Sequence, residues 1–107
     1  MHDKLTRVQR FRLPDNAPVV TTHHVTRERL PILLVIHQYD REDACDVWQF
    51  HSGDGDYSAE VLQLVALHEV VELDPIVAEV ADMPVGYLAR RAARSEPWMD
   101  AVDDPTT

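Results

Sequence analysis

Cysteine is almost missing from this chain of 107 residues: Cys45 stands alone, so no intrachain disulfide can form. Glycine is scarce as well, with three residues in all. The chain has no glycine-rich phosphate loop and no Gly-x-Ser-x-Gly elbow, which removes two motif-borne routes to phosphate binding and acyl transfer. Long apolar runs are also lacking. The longest, Ile32 to Ile36, falls far short of a membrane span. The N-terminal stretch MHDKLTRVQRFRLPD lacks the apolar centre of a secretory signal, so the expectation is a cytoplasmic protein with no membrane association. Positive charge is in short supply: ten Lys and Arg face nineteen Asp and Glu, giving −9 at pH 7. Such a balance repels phosphate backbones, and nucleic acid is not an expected partner.

What remains is the composition of a folded protein, 45% hydrophobic and 27% charged, at a length that suits one domain. The charge is uneven along it. Residues 1–30 hold six basic and three acidic groups (+3), residues 31–89 hold Arg41 against twelve acids (−11), and residues 90–107 hold three against four (−1). Residues 1–16 alternate charged and apolar groups without a period and read as an N-terminal arm. Val19 to Val25 is rich in β-branched residues and reads as a strand, joined by a polar hairpin connection to a second strand at Ile32–Ile36, buried on both faces.

Tyr39 to Asp46 reads as an acidic loop. In Val47–His51 the alternation puts Trp48 and Phe50 on one face and Gln49 and His51 on the other. Burial of Trp48 and Phe50 beside Ile32, Leu34 and Ile36 is the expected core. Ser52-Gly53-Asp54-Gly55-Asp56 reads as a turn, and Val61 to Leu67 as a strand running into a helical segment. Asp74-Pro75 is the clearest local signal, an aspartate cap with proline in the first helical position. Ile76, Val77 and Val80 should then face the core. Met83-Pro84-Val85-Gly86 ends this helix, Tyr87–Arg90 returns as a strand, and residues 99–107 read as a flexible acidic tail. The expected fold is α+β: a small antiparallel sheet of four to five strands with one or two short helices on one face. A single domain over residues 17–98 would carry it.

Six histidines raise the question of a metal, but none stands in a close ligand pair. As members of a strand, His23 and His24 would point to opposite faces. His68-Glu69-Val70-Val71-Glu72 lacks the second imidazole of a zinc-protease helix, and Asp54-Gly55-Asp56 lacks the later ligands of a calcium loop. Neither a metal nor a cofactor is expected. The neighbours Asp43 and Asp46 disfavour a Cys45 thiolate, which leaves no candidate nucleophile.

Three segments in order, Asp46-Val47-Trp48-Gln49-Phe50-His51-Ser52-Gly53-Asp54, Asp74-Pro75-Ile76 and Met83-Pro84-Val85-Gly86-Tyr87-Leu88-Ala89-Arg90, resemble the bacterial immunity-protein-33 family of polymorphic toxin systems, a family of domains of unknown function. The resemblance spans roughly residues 19–91. It implies a small α+β protein that neutralises a toxin by binding it, without catalytic residues. The basic N-terminal arm and the histidines of the first strand depart from that family's pattern.

The functional expectation is therefore a non-enzymatic, protein-binding domain. Its acidic residues Asp40, Asp43, Asp46, Asp54 and Asp56 would meet a cationic protein such as a toxin, because loops carry recognition and charge steers encounter. Two alternatives stand beside it: a metal-dependent enzyme or module using His37 and His51, and a homo-oligomer formed through an exposed strand edge.

Overall fold

The computed structural model describes residues 6–53 and 58–102. It is α+β, with six strands and few, short helical segments. The strands are β1 (Pro18–Thr22), β2 (Leu34–Asp40), β3 (Cys45–His51), β4 (Leu62–Ala66), β5 (Tyr87–Arg90) and β6 (Met99–Val102). They form one sheet in the order β4-β1-β3-β2-β5-β6. All neighbours are antiparallel except β1 and β3, which run parallel around the pair Val20–Gln49. The sheet is thus mixed and six-stranded, where an antiparallel sheet of four or five was expected.

Two departures account for the difference. β1 ends at Thr22, and the next four residues form a short helix, α1 (His23–Thr26). His23 and His24 therefore sit on a helical turn rather than on opposite strand faces. The chain then carries β2 past the position of a hairpin partner, and β3 takes the place beside β1. A two-residue turn would have forced β1 and β2 together; a connection of residues 23–33 does not. The second departure is at the C-terminus. Met99–Val102, expected as part of a flexible tail, pairs with β5 from Tyr87–Val102 to Arg90–Met99. Its four exposed residues, Asp100 among them, hid a strand whose backbone bonds, not its side chains, hold it in place.

The register assigns side chains to the two faces of the sheet. Val35 opposes Phe50 and Ala89, while His37 opposes Trp48 and Tyr87. On this face Phe50, Val19, Val35 and Ala89 are fully buried, with Trp48 nearly so. The helical segments bury their apolar sides here too. α2 (Leu67–Leu73) contributes Leu67, Val70 and Val71; the 3-10 helix Pro75–Val80 contributes Val77, Ala78 and Val80; α1 contributes Val25. Phe11, from a 3-10 turn at Gln9–Phe11, packs edge-on against Trp48 with ring centroids 5.0 Å apart. Residues expected as a loose arm thus supply a core aromatic, because one large ring can anchor an otherwise polar segment.

Trp48 and Phe50 are core residues, as the alternation predicts, but their neighbours differ in part. Ile32 joins the cluster, whereas Leu34 and Ile36 oppose His51 and Gln49 on the other face. The Asp74-Pro75 signal holds: Asp74 Oδ1 accepts from Ile76 N at 3.3 Å and the 3-10 helix follows. Ile76 itself is exposed, since the three-residue period of a 3-10 helix turns it away from Val77 and Val80.

Candidate functional site

The two histidines proposed as a shared metal or catalytic pair cannot meet. His37 opposes Trp48 on the helix-covered face, and His51 opposes Leu34 on the other. A sheet lies between them. Cys45 is on the same face as His51 but six residues away along β3, about 20 Å at the usual strand rise. No group of three or more His, Cys, Asp and Glu gathers as metal ligands among the described residues.

His37 has a defined role of its own. Its ring stacks on Trp48 with centroids 3.9 Å apart and planes 12° from parallel. Nδ1 donates to the Met83 carbonyl at 2.8 Å, which ties β2 to the turn before β5. Nε2 lies 3.7 Å from Asp46 Oδ2, beyond hydrogen-bond reach. The other buried polar cluster is structural. Arg91 donates from Nε to Ile32 O at 2.9 Å and from Nη1 to Arg94 O at 3.0 Å, and Nη2 bonds Asp74 Oδ2. Its guanidinium also lies 4.3 Å from the Trp98 ring centroid. Arg91 and Asp74 are both buried, so this pair clamps the end of β5 to the start of the 3-10 helix. The sequence offered no sign of it, since the partners are 17 positions apart and match no motif.

The surface feature with recognition chemistry lies at the β2–β3 end of the sheet. β2 and β3 form a hairpin closed by the pair Asp40–Cys45, so the expected loop from Tyr39 to Asp46 shrinks to a four-residue turn at 41–44, with strand on either side. Asp40 Oδ1 accepts from Glu42 N at 2.9 Å, and Ala44 takes φ +51, so the turn is held by a side chain and by one left-handed residue. Below the turn runs a groove of about 410 Å³. Leu13, Pro18, Val20, Val47 and Leu64 make it apolar, and Asp40, Asp43 and Asp46 border it. Leu64 is 71% exposed, unusual for a leucine in a strand.

The structure therefore brings three of the five predicted acids to one apolar groove. Asp43 is exposed in the turn, Asp40 is partly occupied in capping it, and Asp46 leans from the opposite pleat toward His37. Asp54 and Asp56 lie outside the described residues. What the sequence reading missed is the apolar floor. The available signal was that β1 carries apolar residues on both faces, Val19 inward and Val20 outward, while β4 presents Leu62 and Leu64 opposite Thr22 and Val20. Helical segments this few and short cannot cover two faces of a sheet.

Across the same face, β5 and β6 offer a second apolar hollow of about 630 Å³, lined by Leu88, Met99 and Ala101 with Arg90 beside them. Comparison with protein families, with curated proteins and with solved structures finds no match for this chain.

Proposed function

We propose that this chain is a non-enzymatic protein-binding domain whose acid-bordered groove seats a basic, apolar segment of a partner protein. The observation that carries the reading is the coincidence, at one place, of exposed apolar side chains with Asp40, Asp43 and Asp46. Apolar surface supplies affinity when water is excluded, and a border of one charge sign selects the partner and speeds encounter. Neutralisation of a toxin, as the resemblance to immunity proteins implies, is one instance of such stoichiometric binding. A metal-dependent site built from His37 and His51 has no support, because those side chains occupy opposite faces.

The test uses a short synthetic peptide of alternating lysine and leucine, with an alternating glutamate and leucine peptide as control. Backbone NMR shifts of Val20, Val47 and Leu64 should move with the first peptide and not with the second. Neutralising Asp40, Asp43 and Asp46 to asparagine together should weaken the interaction and flatten its salt dependence. Shifts confined to the helix-covered face, or equal responses to both peptides, would overturn the reading.

A further inference from the structure

We infer that the occupant of the groove is a second copy of this chain, which presents its β5–β6 corner to it; this rests on the groove being a docking site. The corner has the complementary chemistry. Met99 is 73% exposed, Leu88 and Ala101 lie beside it, and Arg90 projects from the same pleat. Arg90 forms no ion pair among the described residues. Arg91 and Asp100 also border this hollow, but Arg91 is held by Asp74 and the register turns Asp100 to the opposite pleat, so Arg90 is the cation this face offers to the acids of the groove.

A twofold axis lying between the two sheets exchanges corner with groove. Arg90 is level with Leu34 at the start of β2, whereas Asp40 ends that strand and Cys45 opposes it, so the two patches lie toward opposite ends of the strands. The contact is isologous: each groove receives the other copy's corner, so the Arg90-to-acid pairing occurs twice. The −9 charge of each copy opposes approach, but at physiological salt the Debye length of about 8 Å screens charges outside the contact more than those within it.

Sedimentation velocity over a concentration series decides the matter, with circular dichroism confirming that each variant is folded. The wild type should show a concentration-dependent dimer. Arg90→Glu and Asp43→Arg should each weaken it by at least about tenfold, since like charges then face one another. Combining the two should recover most of the loss. A wild type that stays monomeric up to about 1 mM overturns the dimer, as do dimers that persist unchanged in both single variants. A monomer that still binds the lysine–leucine peptide in the groove defeats only this inference; a monomer that does not bind it defeats the groove reading as well.

Discussion

The two faces of the sheet are made from the same strands and have opposite fates. On one, Val19, Val35 and Phe50 lie under α2 and the 3-10 helix and see no solvent. On the other, Val20, Val47 and Leu64 alternate with them along the chain and line an open groove. Around the groove, burial follows from what the helical segments can reach; toward the other end of the sheet, Leu34 and His51 are buried on this second face as well. An apolar side chain left uncovered beside charged ones marks a surface available for contact, whereas the same side chain under a helix marks only stability.

That contrast can be broken most sharply at its centre. Phe50→Ala should cost about 3–5 kcal/mol, read as a lowered urea midpoint, because the cavity it leaves lies in the packed face. Leu64→Ser on the open face should change stability by no more than about 0.5 kcal/mol while abolishing groove contacts. A large loss of stability in the Leu64 variant would mean that this face is covered after all.

Next in size is the clamp at the edge of the covered face. Asp74→Ala strands the buried Arg91 guanidinium and should destabilise by about 3–5 kcal/mol. Arg94→Ala should cost under about 1 kcal/mol, since Arg94 is mostly exposed and lies 3.8 Å from the same carboxylate. Equal effects of the two substitutions would show that Asp74 acts through its cap alone.

The smallest expected effect is at the surface of α2. The hydrogen bond from His68 Nδ1 to Glu72, 2.7 Å long, raises the His68 pKa above 6.5, with the charges of Glu72, Glu69 and Asp15 adding to it against a lowering by desolvation. A raised folded pKa stabilises fully below the unfolded value and is lost as pH rises through the folded one. An NMR titration should place the His68 midpoint above 6.5, and Glu72→Gln should bring it down.

Local features were legible in the sequence because local physics sets them. The alternation of Trp48 and Phe50, the Asp74-Pro75 cap and the strand-to-helix change after Ala66 each depend on neighbours in the chain. For the last, the Glu69 carboxylate accepts from Ala66 N at 2.9 Å. The strand order was not legible, since placing β3 between β1 and β2 is decided by packing of distant segments. Arg91 escaped notice for the same reason. Of the site, the acids were visible as a charge excess, but their convergence on an apolar groove depends on where helices fail to reach.

The lone parallel contact has a consequence for how the molecule comes apart. β2 and β3 are joined by seven consecutive residue pairs from Leu34–His51 to Asp40–Cys45, whereas β1 meets β3 only around Val20–Gln49. A side-chain bond, Thr21 Oγ1 donating to Phe50 O at 2.8 Å, reinforces that junction. Among the described residues β4 has no strand neighbour except β1. The sheet is therefore a four-stranded block and a two-stranded flap, and partial unfolding should begin with the flap lifting as a unit. Amide exchange in β1 and β4 would then occur together, at a lower free energy than in β2 and β3. Each such opening bares the edge of β3, so the rate at which this protein aggregates should follow the opening of that seam rather than global unfolding.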